Sequence, residues 1–581
     1  MADSNATELI RMGTSLFSKK HQLLTLWQTL AEEMYQARAD FTHTRIDGDE
    51  FVEEQFESIP SQNRRDLASA MGALSRPKSQ MWFDYRPRDE ARATDRALAK
   101  LGLMRDKQRS LLYTRRANFQ RSMQAGDNDF VTFGNAVHSI LEDDQRGRIP
   151  VYDTHHLRDC AWAEDRSRAV NTMYRKFKLA LSNYQETFKK PLPDRYQKQF
   201  EKSPHDEIEL WHISIPVGHY DFYKKKARNP RHQFASIYVD PAMQEIIKEG
   251  ANFEFPYLVR RWVLLDHSQY AHSPAAMYGL IDARLLQAQS RVILEAGERV
   301  IDPPMVARAE GVLGKINNYP GATNWIDANY DERQGDALRA LNTEANIPLG
   351  LEMKQDTRQV LAAAMYLNKL NLPSDKDMTA FEVNERISEY IRSIGPVIEP
   401  FQDDNSTLLD ASFVMNMRLD NFGPLEEMPP ELKGAEIVFE FDGPMQMAYK
   451  RQKLQNDREF ISVVGEVVKA TTRLDILDNV DLDLFVRNVG KNTGADPKLL
   501  KPMDSVMAKR EAETQAMEQQ AAVAQSQQAL MGATAAAELA PKLAMANQSI
   551  PLITDGAPAQ PDSSPYPEDE GVDDSELAAA A

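Results

Sequence analysis

The spacing of apolar side chains predicts that the chain begins with helices. Between Thr7 and Ala39 the leucines and methionines recur three or four positions apart, which is the period of one helix face. Similar spacing covers Asn63 to Leu74 and ends before Pro77. Residues 88 to 125 continue the pattern as one or two charged helices. We therefore expect a helical N-terminal region.

Basic residues cluster in the last of these predicted helices. Leucines and a phenylalanine are interleaved with the cations, which are Arg105, Lys107, Arg109, Arg115, Arg116 and Arg121. Such a run is typical of a solvated helix face, and contact with nucleic acid is the alternative interpretation.

The apolar period changes to two between Ile149 and Asp266, which predicts a region made mostly of β-sheet. Residues 207 to 215 alternate most clearly between apolar and polar positions. A basic run from Lys224 to Arg231 lies between two of the predicted strands, where a long hairpin loop is expected. This run is interpreted as a solvated loop, with contact to a polyanion as the alternative.

A long helix is predicted from Ser273, which is a good N-cap and is followed by Pro274, to Asp302. Its apolar stripe consists of Met277, Ile281, Leu285, Ala288, Val292 and Ala296. At ~1.5 Å per residue the helix is a rod of roughly 40 Å. A rod of that length with much polar surface needs neighbours on its flanks.

Residues 303 to 350 are interrupted by many glycines and prolines and predict a compact excursion of short elements. A second helix follows from Asp356 to Leu370, then a polar loop at 371–377, then a helix that opens with the capping box Thr379-x-x-Glu382. The pattern predicts a helical hairpin with a module inserted at its tip. One strand at 436–441 and helices to about Arg510 complete an α+β fold that is mainly α.

The charge of the 581-residue chain is unevenly distributed. It carries 87 acidic and 69 basic side chains, a formal net charge of −18. Residues 511–581 hold twelve acidic residues and one basic residue, Lys542, which leaves −7 for residues 1–510. A nearly balanced body argues against a broad basic DNA-binding face and against sequence-specific DNA binding. The Ala/Gln-rich stretch is compatible with a frayed helix, and we expect disorder beyond about Ile550.

The sequence offers no set of residues for catalysis. Cys160 is the single cysteine, so the chain has no intrachain disulfide and fits a reducing compartment. His155, His156 and Cys160, near Asp153, match no common zinc spacing. The string from Gly311 to Lys315 departs from a phosphate-binding loop, and neither G-x-S-x-G nor H-E-x-x-H occurs. We expect no catalytic, cofactor-binding or metal-binding residues. The sequence also predicts neither a secretory signal nor a membrane span.

The order of these segments resembles the head-to-tail connector (portal) proteins of short-tailed, podovirus-type phages. Short strings are also similar to that family across about residues 5 to 510: Arg64-Arg65-Asp66-Leu67, Trp82-Phe83, Trp325-Ile326-Asp327 with Tyr330, Asn346 to Leu351, Ala364 to Leu367, Met378 to Ala380, Asn384 to Ile387 and Gly443-Pro444-Met445. One departure is Tyr270-Ala271, since the family tends to have glycine after the tyrosine. It puts only the local turn in doubt.

The resemblance implies a portal fold with named parts. These are a wing (1–272), stem helix 1 (273–302), a clip (303–350), stem helix 2 (351–370), a channel loop (371–377), a further wing part with a long helix and a strand (378–443), a C-terminal helical, crown-like region (444–510), and an Ala/Gln-rich and then disordered acidic tail (511–581). Lys369 and Lys376 flank the channel loop and are the candidate residues for contact with DNA. A solvated loop without a role in DNA contact is the alternative.

The resemblance also implies a structural function, with no cofactor. About twelve subunits would form a ring at one capsid vertex, through which double-stranded DNA is packaged and later ejected. Expected partners are the packaging ATPase (terminase), tail or adaptor proteins, and the capsid or scaffold, but no membrane. The protein would reside in the virion after assembly in the host cytoplasm. The alternatives are another phage structural component, a tail or internal core protein, and a DNA-processing or lysis enzyme.

Overall fold

The computed structural model describes residues 4–546 apart from several gaps. The gaps are 47, 51–54, 79, 144–147, 221–231, 309–311, 318, 320–321, 328–330, 332, 334, 342–345, 371–400, 425–427, 442–443, 472–478 and 494–502. The chain divides into two units, Met1–Leu500 and Lys501–Ala581. Among the described helices, none is long and apolar enough to cross a bilayer.

The predicted helical beginning is confirmed. The helices are α1 (Ser4–Lys19), α2 (His21–Met34), α3 (Ile59–Ser75), α4 (Asp95–Leu112) and α5 (Phe119–Phe133). Aromatic rings pack these helices against the sheet region. Trp27 of α2 contacts the rings of Phe41, Phe133 and Tyr270. Because Tyr270 comes from much later in the chain, this cluster joins the N-terminal helices to the region that precedes the rod.

The sheet region is confirmed, but it begins at Asn135 and not at the predicted Ile149; it contains an antiparallel five-stranded sheet and a three-stranded sheet. The three-stranded sheet has the order β3-β2-β9, with β2 (Asn135–Asp143), β3 (Ile149–His155) and β9 (Tyr257–Arg261). The larger sheet runs in sequence order: β4 (Cys160–Glu164), β5 (Val170–Ala180), β6 (Glu207–Pro216), β7 (Phe234–Asp240) and β8 (Glu245–Asn252). Between β5 and β6 the chain forms α6 (Leu181–Phe188) and α7 (Asp194–Lys202). The basic run at 224–231 lies outside the described residues, between β6 and β7.

A strand near the start of the chain pairs with one near residue 440. β1 (Phe83–Pro87) is antiparallel to a strand that we label β16 (Ile437–Phe441), with Phe83 opposite Phe441. Tyr85 of β1 and Phe439 of β16 are buried and contact each other edge to face, with ring centroids 5.1 Å apart. The late strand predicted from sequence is therefore a partner of the N-terminal region.

The long rod helix is present, and its first turn is wider than predicted. Ser273 Oγ accepts a hydrogen bond from Ala276 N at 3.0 Å and donates to Thr132 O at 2.6 Å, so it caps the helix as expected. Residues Ala275–Gly279 form a π-helical turn, and the regular helix α8 runs over Leu280–Ile301. Before it, β10 (Val263–Leu264) and β11 (Ala271–His272) form a short ribbon. The 22 residues of α8 span about 33 Å.

The segment after α8 consists of nested antiparallel pairs. β12 (Met305–Ala307) pairs with β15 (Leu338–Ala340), and inside them β13 (Val312–Leu313) pairs with β14 (Trp325–Ile326). The outer pair brings the two ends of the excursion together, as expected for a module inserted in a hairpin.

The second rod helix differs from the sequence expectation at both ends. It is α9 (Ile347–Ala364), capped by Asn346 Oδ1, which accepts from Leu349 N at 3.2 Å. It begins nine residues earlier than the apolar pattern from Asp356 indicates because this cap and Pro348 favour a start there. It ends before Tyr366, whose φ of 57° interrupts the helix, and α10 (Leu367–Leu370) follows.

Further helices lie in the C-terminal part. Within Met1–Leu500 these are α11 at 401–418, α12 (Pro444–Thr471) and α13 (Leu482–Thr493). The unit Lys501–Ala581 contains α14 (Met503–Ala546), which includes the Ala/Gln-rich stretch and spans the predicted boundary at 510. The predicted channel loop and capped helix, at 371–400, and the tail beyond 546 lie outside the described residues.

Candidate assembly interface and channel segment

The two rod helices pack against each other as an antiparallel pair. At one end, a Cβ at Gly279 would lie 3.4 Å from Met365 Sδ and 3.8 Å from Leu361 Cδ1. At the other end, a Cβ at Gly350 would lie 3.2 Å from Ile293 Cγ1. Glycine at position 350 therefore allows a close approach of the two rod helices, whereas the tightest contact of a Cβ at position 279 would be with Met34 Cε of α2, at 3.0 Å.

Helix α8 carries apolar residues on two opposite faces. One face, formed by Ala283, Leu286 and Ser290, is buried against the chain's own fold. The centre of the stripe predicted from sequence lies on the other side: Ile281 is 72% exposed and Val292 63% exposed. With 100° between successive residues, the two faces are about half a turn apart. The predicted stripe is thus not the face that anchors the helix to its own subunit.

Helix α9 exposes a second apolar face. Leu349, Met353 and Val360 are large apolar residues spaced four and seven positions apart, and all three are exposed. The buried residues of this helix are Thr357 and Leu361. A rod with exposed apolar stripes on both of its helices is unusual for a monomeric protein, because contiguous exposed apolar patches mark interaction surfaces.

A polar clamp fixes the rod pair to the N-terminal region. Glu57 Oε2 lies 2.7 Å from Lys354 Nζ and 2.8 Å from Arg358 Nη2, both on α9. On α8, Gln287 Oε1 accepts from the amides of Phe56 and Glu57, at 2.9 and 3.0 Å. Gln287 Nε2 also donates to Glu57 O at 2.8 Å. The clamp orients both helices, so their exposed stripes have defined directions on the subunit.

A buried ionic network holds α11 near Asp404. Asp127 of α5 accepts hydrogen bonds from Arg76 and, at 2.7 Å, from Arg260 Nη1. Arg260 Nε donates to Asp404 Oδ2 at 3.3 Å, and Arg76 Nη1 donates to Asn405 Oδ1 at 3.0 Å. The network thus ties α5, β9 and the C-terminal end of α3 to residues Asp404 and Asn405 of α11.

Apolar contacts reinforce the same anchor. The ring of the fully buried Phe401 packs edge to face on Phe130, with centroids 4.7 Å apart. The Arg260 guanidinium lies 4.4 Å from the centroid of the Phe401 ring. Burial raises the pKa of Asp404 to about 6, while the adjacent Arg260 opposes that shift. This anchor therefore fixes the chain at Phe401 and Asp404, the first part of α11 that the structure describes.

The two residues predicted to contact DNA are not brought together by the described structure. Lys369 lies in α10, which ends at Leu370. Lys376 lies outside the described residues. Contact of this pair with DNA stays a prediction.

The residues considered for metal binding make other contacts. His155 Nε2 lies 2.8 Å from Ser139 Oγ, and His156 Nε2 lies 2.7 Å from Asp40 Oδ1. Cys160 is buried, and burial raises the pKa of its thiol to about 12. At neutral pH it is therefore a thiol, which is a poor nucleophile.

The exposed stripes and the network around Asp127 are features that sequence reasoning missed or interpreted incompletely. The sequence shows the spacing of the stripe residues, but it does not show which face of each helix packs against the rest of the subunit. Asp127 stands in the polar string Gly126-Asp127-Asn128-Asp129, and nothing in that string signals burial.

Comparison with known proteins gives a match to one family over most of the chain. The model of the family described as "Bacteriophage head to tail connecting protein" matches residues 6–500.

Two curated relatives match at nearly full length. The "Probable portal protein" of Bordetella phage BPP-1 is 24% identical over 543 residues, which cover 90% of this chain and 94% of the relative. The "Portal protein" of Salmonella phage epsilon15 is 22% identical over 550 residues, covering 93% and 96%. A chain in the solved virion of a native gene transfer agent particle is similar at 11% identity, with a TM-score of 0.32, covering 70% of this chain and 86% of that one.

Proposed function

Because the chain belongs to the bacteriophage head-to-tail connecting protein family, we propose that its copies form a closed ring of about twelve subunits at one capsid vertex. The ring is the conduit through which double-stranded DNA enters the capsid during packaging and leaves it during ejection. The subunit is a structural part of the virion and performs no catalysis. It assembles in the host cytoplasm before it is incorporated into the particle.

The observation that carries the ring proposal is the pair of exposed stripes on α8 and α9. The two stripes lie on different helices and consist of different residues. We therefore propose a contact in which the α8 stripe of one subunit packs on the α9 stripe of the next. Such a contact is heterologous, and a heterologous contact closes into a ring when its rotation divides a full turn. The clamp at Glu57 supports a fixed rotation because it sets the orientation of both helices.

Native mass spectrometry of the purified full-length protein tests the ring proposal. We expect one dominant species whose mass is an integer multiple, near twelve, of the 65.9 kDa subunit. Only monomers at high protein concentration, at both low and moderate salt, would contradict it.

The nested strand pairs between Met305 and Ala340 support the assignment of the clip, whose predicted range of 303–350 overlaps the start of α9 at Ile347. They form a module that is closed by the β12–β15 pair and lies between α8 and α9 in the chain. Trp325 and Ile326 at its inner pair are exposed, which suits a docking surface. We propose that the packaging ATPase and later the tail or adaptor proteins bind here, whereas the wing contacts the capsid or scaffold.

We propose that Lys369 and Lys376 face the DNA that passes through the ring. Replacing both with alanine is expected to leave the ring mass unchanged, because neither lies on the exposed stripes, and to change the amount of DNA that is packaged or retained. The measurement is the length of packaged DNA in particles assembled with the variant. The matched control is Lys178→Ala with Lys509→Ala, two exposed lysines that have acidic partners. Unchanged packaging and retention in the Lys369/Lys376 variant would remove these residues from the channel.

A further inference from the structure

The corner that joins α4 to α5 is fixed by contacts with the three-stranded sheet. After α4 ends at Leu112, a short 3-10 turn covers Arg115–Ala117, and Asn118, with φ of 57°, starts α5. Asn118 Nδ2 donates to Tyr152 O at 3.2 Å. The ring of Phe119 packs edge to face on Tyr152, with centroids 5.1 Å apart. The corner is therefore held against the three-stranded sheet.

This corner carries cations without acidic partners. Lys107, Arg115, Arg116 and Arg121 are exposed and form no ion pair with described residues. Between residues 107 and 126 the sequence has five basic residues and no acidic one. We name Lys107, Arg109, Arg115, Arg116 and Arg121 the corner patch.

The acidic residues that flank the corner patch are already engaged. Asp106 Oδ1 accepts from Arg105 Nη2 at 2.8 Å. On the other side, Asp127 is buried between Arg76 and Arg260. The patch is thus a local concentration of positive charge on a chain whose net charge is −18.

A cavity beside the patch adds a concave binding element. It has a volume of about 360 Å³ and is lined by Lys78, Met81, Asp106, Arg109, Ser110 and Tyr113. Arg109 Nη2 donates to Lys78 O at 2.8 Å. Its buried Nε has no hydrogen-bond partner among the described residues. A buried guanidinium N–H without an acceptor is costly, and a bound anion would satisfy it.

We propose that the corner patch and this cavity bind the phosphate backbone of double-stranded DNA. This site is separate from Lys369 and the predicted channel loop at 371–377. Four of the five patch residues are arginines, whose planar fork matches a phosphate in two hydrogen bonds. The exposed cations of the corner can approach a duplex, while Lys78 and Arg109 receive one phosphate at the cavity. The proposed contact is to phosphates, which carry no sequence information directly, so we expect binding that does not depend on the base sequence.

The test measures binding of a 30-base-pair duplex to the full-length protein by fluorescence anisotropy at several salt concentrations. Each neutralised phosphate contributes ~0.9 to the slope of log affinity against log salt. We therefore expect a slope of about −4.5 if each of the five patch residues neutralises one phosphate. The variant Arg115→Ala/Arg116→Ala/Arg121→Ala should lose about 3 from that slope and bind at least about tenfold more weakly at low salt.

The control variant removes the same charge elsewhere. Arg88→Ala/Arg291→Ala/Lys178→Ala replaces three exposed cations that are paired with Glu436, Glu295 and Glu207. It should leave the slope unchanged. The variant Arg115→Lys/Arg116→Lys/Arg121→Lys keeps the positive charge and should keep most of the salt-dependence slope. Circular dichroism checks that each variant is folded, so a loss of charge is distinguished from a loss of fold.

Two outcomes would overturn the proposal. One is an equal loss of DNA affinity in the corner and control variants, which would reflect total charge alone. The other is binding of polyglutamate, but not of the duplex, that depends on the corner arginines; it would identify an acidic protein segment as the partner. The comparison is made between variants in the same oligomeric state, so it stays interpretable if the ring proposal fails.

Discussion

Replacing Ile281 and Leu285 with aspartate is expected to leave the subunit folded and to abolish the ring. Both side chains are exposed in the single subunit, so the change leaves its own core intact. In the ring they would be buried against the neighbouring α9, where unpaired carboxylates carry a large desolvation cost. Because the same interface repeats around the ring, the penalty applies to every contact. Native mass spectrometry should show monomers or short open oligomers.

The matched control for this variant is Ile46→Asp. Ile46 is 75% exposed and lies outside the rod helices. We expect normal rings from it and an unchanged far-ultraviolet circular dichroism spectrum from both variants. Intact rings from the Ile281/Leu285 variant would show that the α8 stripe does not form the interface.

Asp127→Ala is expected to destabilise the Met1–Leu500 unit strongly. It would leave Arg76 and Arg260 buried without their shared carboxylate. Breaking a buried ion pair from one side costs about 3–5 kcal/mol. The free energy of unfolding is measured by urea denaturation. Hydrogen exchange should also increase in α11, because Arg260 and Arg76 hold it at Asp404 and Asn405.

Glu295→Ala is the control for the network. Its pair with Arg291 lies on the exposed surface of α8, where such pairs contribute about 0.3–0.5 kcal/mol. An Asp127→Ala protein whose stability fell by no more than the Glu295→Ala protein would contradict the structural role of the network.

Periodicity made some of the fold predictable because it is a local property. The cap at Ser273 and the apolar spacing of α8 depend only on residues close together in the sequence, and both are present in the structure. The module at 303–350 is bounded by prolines and closes through β12 and β15. The alternation at 207–215 likewise predicted β6.

The missed features depend on partners far apart in the sequence. β1 and β16 are separated by some 350 residues, so neither strand's pattern indicates the other. The burial of Asp127 is decided by Arg76 and Arg260. The apolar stripe of α8 was visible, but its exposure depends on which face the subunit's own fold covers. The capping box at 379–382 predicts a helix that lies outside the described residues, as does the predicted channel loop at 371–377. The assignment of both is therefore based on the sequence alone.

The most direct test of the central claim is a cryo-electron microscopy map of the purified full-length protein. We expect a closed ring with an axial channel, in which Ile281, Leu285 and Val292 of each subunit lie against Leu349, Met353 and Val360 of the next. A map that shows no ring, or a ring in which these α8 side chains face solvent, would contradict the account.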